Sequence, residues 1–147
     1  MLGRIYDTQD CSAARALEIV GERWSLMIIR HALFRGITRF GDFQRSLGIA
    51  RNILAARLDW FVEAGLMTRQ PHAAGSAYHD YVLTEKGRDL QPVIVALTHW
   101  GDRWVEPGPI VLRHAHCGGQ VHQQAICDDC GQQVPIDAVE ADPVAGS

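Results

Sequence analysis

The stretch "FGDFQRSLGIARNILAARLDWFVEAGLM", residues 40–67, predicts two helices joined by a tight turn. In its first part, Phe40, Phe43 and Leu47 follow the i, i+3, i+7 spacing of one helix face. Gly48 comes directly after them, and glycine most readily adopts the left-handed conformation that ends many helices. We therefore expect a short helix that stops at Gly48.

The second helix of this stretch, predicted over residues 49–64, has two contrasting faces. Leu54, Leu58 and Phe61 form a narrow apolar stripe suited to a protein core. The other face combines arginine, an amide and short side chains, so it can approach a polar partner closely. The residues of that face are Arg51, Asn52, Ala55 and Ala56.

Upstream of this stretch, the sequence predicts two further helices. Ser12 is a candidate N-cap for the first helix, and Gly21 marks its end. The second helix covers about residues 23–34 and has a wide apolar face, as expected at the centre of a bundle. The segment "RGITR", residues 35–39, is then a turn.

Downstream, residues 66–70 and 78–84 read as the two strands of a hairpin. The last three of these helices, followed by a hairpin, have the element order of a winged helix-turn-helix, an α+β fold. In that fold the helix at 49–64 enters the DNA major groove, where Asn and Arg side chains can read base edges. The predicted DNA-contacting residues are Arg39, Arg45, Arg51, Asn52, Ala55, Ala56, Arg57 and Arg69. The alternative is a solvated helix face without a nucleic-acid partner.

The charge of the chain is segregated along its length. Its net value is −3, but residues 1–105 hold 13 Arg and Lys against 11 Asp and Glu, whereas residues 106–147 hold one Arg against six acids. Between Arg15 and Arg57 there are eight arginines and three acids. This local excess of positive charge can bind a phosphate backbone even though the net charge of the whole chain is negative.

A helix predicted to open at Thr84 and to end before Pro107 carries a heptad-like apolar seam. The seam has more apolar side chains than one intramolecular face requires, which favours a partner helix and hence a homodimer. The alternative is a helix packed only on its own domain. The predicted dimer residues are Leu90, Ile94, Leu97, Trp100 and Trp104.

The stretch "HAHCGGQVHQQAICDDCG", residues 114–131, pairs metal-binding side chains at two places. Each pair has two intervening residues and is followed by glycine, as in the two knuckles of a zinc ribbon. Four protein ligands leave no open position on Zn²⁺, so the predicted site is structural and the protein is not a zinc enzyme. The alternatives are a ribbon that folds without metal and a redox dithiol at the second pair. The predicted ligands are His114, Cys117, Cys127 and Cys130, with His116 and His122 as weaker substitutes for the histidine.

No apolar run approaches the ~20 residues that span a membrane, and the N-terminus lacks the features of a signal peptide. We therefore expect a soluble, cytoplasmic protein without membrane contact. We find no internal repeat in the sequence.

Residues 11–104 contain several distinctive blocks: an N-terminal Cys11, "GERW", "RFGDFQRSL" ahead of "NILAARL", "EAGLM", and "LTEKGRDL" followed by Pro92 and Trp100. Together these blocks resemble the HxlR family of bacterial winged-helix transcription regulators. The resemblance implies a dimer that binds a palindromic operator, with the first and last helices in the dimer contact. It also implies that Cys11 is a candidate sensor thiol for oxidants, quinones or aldehydes, the alternative being a small buried residue at the dimer contact.

Two positions depart from the family's pattern. Ala50 stands where a serine often caps the recognition helix, which puts that cap and a phosphate contact in doubt. No Arg or Lys lies between Arg69 and Lys86, so the hairpin loop lacks its usual arginine.

Together these features predict a homodimeric DNA-binding transcription regulator, a repressor more than an activator, with room for a small-molecule effector. The predicted organisation is a DNA-binding and dimerisation domain over residues 1–106, a zinc-ribbon appendage over 110–136 and an acidic disordered tail over 137–147. The alternative function is a zinc-ribbon protein-interaction module without specific DNA binding.

Overall fold

The structure, a computed structural model, describes residues 11–144. The described residues divide into two compact units, one that ends at Ile94 and one that begins at Val95. Within the described residues no helix is long and apolar enough to cross a membrane. The elements are α1 (Ser12–Val20), α2 (Ser25–Arg35), α3 (Phe40–Leu47), α4 (Arg51–Glu63), β1 (Met67–Pro71), β2 (His79–Leu83), α5 (Glu85–Arg88), α6 (Gln91–Trp104) and a 3₁₀ turn (Ile136–Ala138).

The core of the first unit lies between α2, α3, α4 and the start of β1. The predicted stripe of α4 is confirmed, because Leu54, Leu58 and Phe61 are all fully buried. Ile28 and Ile29 of α2 are fully buried with them. Each such side chain contributes about 1.5–3 kcal/mol on leaving water, so this cluster dominates the stability of the unit.

The helix pair α3–α4 forms as predicted, with Gly48 at the turn. Gly48 has φ +63°, and its N–H donates to the carbonyl of Gln44 at 2.9 Å. The α4 helix then begins after Ala50, which offers no side-chain acceptor to the first turn. The first turn of α4 therefore keeps N–H groups that no cap side chain satisfies.

The wing is a two-stranded antiparallel sheet in which Met67 pairs with Leu83 and Pro71 with His79. The second strand also contacts the turn before α3, because the Tyr81 N–H donates to the Thr38 carbonyl at 2.7 Å. The α+β winged helix-turn-helix fold is therefore confirmed, and the wing is held directly against the helix pair.

Two predicted helix starts need correction. Helix α1 is capped by Cys11 rather than by Ser12, which is its first helical residue. Thr84 does cap a helix, since its Oγ1 accepts from the Gly87 N–H at 3.2 Å, but that helix is only the short α5. Pro92 explains the break before α6: a proline inside a helix lacks the N–H donor and clashes with the carbonyl four residues earlier, whereas it fits the first turn of a new helix.

The second unit contains most of α6 and two small knuckles that follow it. The Asp102 side chain accepts from the Gly108 N–H at 3.0 Å and closes the turn after α6. Each knuckle is bounded by an isolated antiparallel bridge, Arg113 with Gln120 and Ile126 with Gln133. The last three residues of the predicted tail, 145–147, lie outside the described residues.

Candidate DNA-binding surface

The outward face of α4 carries the residues best placed to contact a ligand. Arg51, Asn52 and Ala56 are exposed, whereas Ala55 is half-buried. The Asn52 amide makes no hydrogen bond to any other residue in the part of the chain that the structure describes. The Arg51 guanidinium lies over the Phe40 ring, 5.0 Å from its centroid, which orients its charge while leaving its donors open.

Arg57, predicted on the same face, belongs to another side of α4. An α-helix turns about 100° per residue, so six positions place Arg57 roughly 240° from Arg51. Its side chain is 13% exposed, and its Nε lies 3.9 Å from Oε2 of Glu22. The same carboxylate accepts from the Trp24 N–H at 3.0 Å. Arg57 therefore ties α4 to the loop before α2 instead of facing outward.

The arginines around α3 form a second basic area. Arg39 is exposed and precedes α3, and Arg45 is exposed but paired with Asp42 in the next turn. Arg35, which the sequence analysis did not select, donates to the Ser46 hydroxyl at 2.5 Å. Arg35 and Arg45 line a shallow groove of about 630 Å³ with Thr38. The signal for Arg35 was the turn beside it, which brings the end of α2 next to α3.

The wing presents aromatic and imidazole groups in place of arginine. Arg69 at its base pairs with Asp59 of α4 at 2.5 Å and lies over the Tyr81 ring, 5.5 Å from the centroid. Tyr78 at the far end is 77% exposed. Tyr78 carries no charge, so the charge pattern of this loop did not indicate it. A tyrosine can nevertheless contact a sugar-phosphate backbone through its hydroxyl.

Asp80 joins the wing to the helix pair through a small polar cluster. Its carboxylate accepts from the Thr38 hydroxyl at 2.9 Å and from His72 Nδ1 at 2.8 Å. These hydrogen bonds, that from His72 first, lower the pKa of Asp80 below its ordinary value. Arg39 faces Asp80 across an isolated bridge. We name Thr38, His72 and Asp80 the wing clasp.

Cys11 lies exposed at the start of α1. Its Sγ accepts a hydrogen bond from the Ala14 N–H at 3.3 Å, so the thiol serves as the helix cap. A substitution that removes this sulfur also removes the acceptor of a helix N–H.

The predicted dimer seam divides into two parts. Ile94 is 3% exposed in the core of the first unit, and Leu90 packs against that core, so both already contact their own chain. Leu97, Trp100 and Trp104 are 53–64% exposed in the second unit. The open apolar face of α6 is therefore shorter than the sequence predicted.

The four predicted metal ligands occur as two separate pairs. His114 Nδ1 lies 3.2 Å from the Cys117 Sγ in the first knuckle, and Cys127 and Cys130 belong to the second knuckle. Backbone N–H groups of Cys130 and Asp129, with the Cys130 side chain, lower the pKa of the Cys127 thiol. In residues 11–144 no group of three or more His, Cys, Asp or Glu is arranged to hold a metal ion.

A helix pair with an open polar face, basic residues around it and a wing beside it define a winged helix-turn-helix DNA-binding protein. Comparison with known sequences identifies the family within this class. The chain belongs to the HxlR-like helix-turn-helix family, whose sequence model matches residues 19–109. It is a DNA-binding transcription regulator.

The relatives differ in how much of the chain they share. The uncharacterized HTH-type transcriptional regulator Rv3095 of Mycobacterium tuberculosis is 46% identical over 138 residues, 92% of this chain and 87% of the relative. The crystal structure of PA1607, a candidate transcription factor, has a TM-score of 0.82 and 38% identity over 93% of this chain and 97% of its own. Quinone-bound YodB from Bacillus subtilis has a TM-score of 0.53 and 31% identity, and it covers 64% of this chain and 99% of its own. Rv3095 and PA1607 therefore match more than nine tenths of this chain, whereas YodB matches about two thirds of it.

Proposed function

We propose that the protein is a homodimeric repressor that inserts α4 into the major groove of a palindromic operator in the bacterial cytoplasm. The observation that carries the proposal is the open face of α4, where Asn52 has no partner in the described chain and Arg51 keeps its donors free. An asparagine amide and an arginine fork match the base edges of adenine and guanine. Repression requires only that a protein occupies a promoter, and a DNA-binding domain of this kind can do so.

The surrounding groups support this placement by their chemistry. Arg35, Arg39 and Arg45 stand around α3, where a DNA backbone passes when the next helix lies in the major groove. Such contacts fix the register without reading sequence. Arg57 and Arg69 are left out of the proposed contacts, because each is paired with a carboxylate of another element, Glu22 and Asp59 respectively. Arg45 is kept, because its partner Asp42 lies in the same helix and the Arg45 side chain is 77% exposed.

The exposed α6 residues Leu97, Trp100 and Trp104 support a dimer. Three large apolar side chains on one helix face lose their contact with water when a second copy covers them. A symmetric dimer presents two α4 helices, and this is what a palindromic operator requires.

Cys11 is the proposed point of control by an oxidant or electrophile. The structure of YodB is described as quinone-bound, and that of HypR, 26% identical, as a redox regulator in its reduced form. In this chain the Cys11 thiol is exposed and caps α1. An electrophile that alkylates the Cys11 sulfur replaces the thiol proton with a bulkier group, and this perturbs the start of α1. If α1 lies in the dimer contact, the modification also changes the dimer.

The decisive experiment selects bound duplexes from a random pool and measures their affinity as a function of salt. We expect one enriched palindrome and a steep fall of affinity with salt, because counterions leave at each phosphate contact. Arg51→Ala should weaken binding, whereas the charge-matched Lys86→Ala should not. Lys86 donates to the Ala64 carbonyl beyond the far end of α4, a helix about 20 Å long.

The alternative, a protein-interaction module, has a different outcome in the same experiment. It predicts no enriched sequence and equal salt slopes for the wild type, Arg51→Ala and Lys86→Ala. That result, obtained with folded protein, would remove the operator-binding proposal.

A further inference from the structure

The two knuckles of the second unit are copies of one backbone design. Three backbone hydrogen bonds of 2.8–2.9 Å define the first knuckle. The N–H groups of His114, Gly118 and Val121 donate to the carbonyl oxygens of Gly119, His114 and Leu112, respectively. The same three bonds recur 13 residues later, each at 2.9 Å. There the N–H groups of Cys127, Gly131 and Val134 donate to the carbonyl oxygens of Gln132, Cys127 and Ala125, respectively. The absence of an internal repeat, stated from the sequence, is therefore wrong for residues 112–134. The repeat is hidden because only a few of its side chains are alike.

Each copy places two potential ligands at the same two positions. The first holds His114 and Cys117, and the second holds Cys127 and Cys130. A glycine follows each pair in the left-handed conformation, Gly118 at φ +72° and Gly131 at φ +69°.

This region has no apolar core of its own to hold the design together. None of residues 105–144 is buried, and Leu112, Val121, Cys127 and Val134 are only half-buried. A segment of this size without a core usually needs a disulfide or a metal to order it. The four cysteines of the chain are free thiols, so a disulfide does not provide the link.

We propose that the two knuckles together bind one Zn²⁺ ion through His114, Cys117, Cys127 and Cys130. The structure forms the two ligand pairs separately, and the ion is what joins them. Three thiolates and one imidazole match the ligands that Zn²⁺ prefers in closed, tetrahedral structural sites. The ion orders the C-terminal unit and has no catalytic part. This site is independent of the operator proposal, because its ligands lie outside α3, α4 and the wing.

The first measurement is the metal content of the full chain, purified without added metal or chelator. We expect one zinc per chain. His114→Ala and Cys127→Ser should each lose most of it, whereas the matched variants His116→Ala and His122→Ala should keep it. A stoichiometry near zero in the wild type, or equal loss in all four variants, would overturn the proposal.

The second measurement keeps the test valid if a variant fails to fold. Cobalt(II) replaces zinc in the wild-type chain, and its absorption reports both tetrahedral geometry and thiolate ligands. Hydrogen exchange is then followed before and after chelation. The amides of His114, Gly118, Cys127 and Gly131 should lose protection, whereas those of β1 and β2 should not. Protected knuckle amides in metal-free protein would show that the ribbon folds without its ion.

Discussion

Arg51 and Arg57 lie six positions apart on α4, yet their guanidinium groups have different surroundings. The guanidinium of Arg51 lies over an aromatic ring at the surface, and that of Arg57 sits against the Glu22 carboxylate with little exposure. The two residues therefore differ in what their loss should change. One belongs to the DNA surface and the other to the fold.

Arg57→Ala should lower the free energy of unfolding by on the order of 1–3 kcal/mol, since it leaves the partly buried Glu22 carboxylate without its cation. The measurement is urea unfolding of the variant beside Arg51→Ala, whose exposed site should change stability by less than about 0.5 kcal/mol. Equal stability of the two variants would show that the Glu22–Arg57 pair contributes nothing to the fold.

Asn52→Ala should relax the preference for one base position and cost about 1–3 kcal/mol of discrimination there, because its amide can form two hydrogen bonds to one adenine. Affinities for the selected operator and for each single-base variant measure this. Gln91→Ala, which removes an exposed amide at the start of α6, is the control and should leave the preference intact. A full wild-type preference in Asn52→Ala would assign base reading to other residues.

At the scale of elements, the wing depends on the wing clasp for its position against α3. Two strands alone form a marginal sheet, so additional contacts are needed to fix their orientation. The Thr38 hydroxyl and His72 Nδ1 supply them by donating to the same carboxylate. The clasp therefore couples the wing to the helix that precedes α4.

The clasp should make wing stability depend on pH in the acid range. The pKa of Asp80 in the folded protein lies below its ordinary value of 3.8. The Asp80 carboxylate therefore contributes its full stabilisation above pH 3.8, and this stabilisation is lost as the pH falls through the lowered pKa of the folded protein. Asp80→Ala should lose this part of the acid dependence and show faster amide exchange in β1 and β2 at neutral pH. Asp89→Ala, a control outside the wing, should keep the wild-type profile. Identical acid profiles for all three proteins would exclude a role for the clasp.

At the scale of the whole molecule, assembly depends on the exposed apolar face of α6. Leu97→Asp should shift the dimer toward monomer, because a carboxylate placed in an apolar contact loses its hydration without a partner. Sedimentation at several concentrations measures the shift. Gln91→Asp adds the same charge about 120° away around the helix and should leave assembly unchanged. A wild-type chain that is monomeric at micromolar concentration would contradict the prediction.

Operator geometry follows from the same assembly. A symmetric dimer with one α4 in each half-site predicts half-site centres about 34 Å apart, one DNA turn, or a multiple of it. Footprinting of the selected operator measures this spacing. The Leu97→Asp variant should protect the operator only at higher concentration, since each monomer then binds one half-site.

The sequence by itself determined the helix pair, its Gly48 turn, the buried stripe of α4 and the wing that follows, because these depend on periodicity and on local backbone preferences. Tertiary structure decided which polar groups remain open. Whether Arg57 faces DNA depends on Glu22, 35 positions away in sequence, and whether Arg69 is free depends on Asp59. Ile94 is not part of the exposed seam, because it is buried in the core of its own unit. The repeat of the knuckle is recognised only from its backbone hydrogen bonds. Periodicity reports the face on which a side chain lies, whereas the partner of that side chain is fixed by contacts between distant parts of the chain.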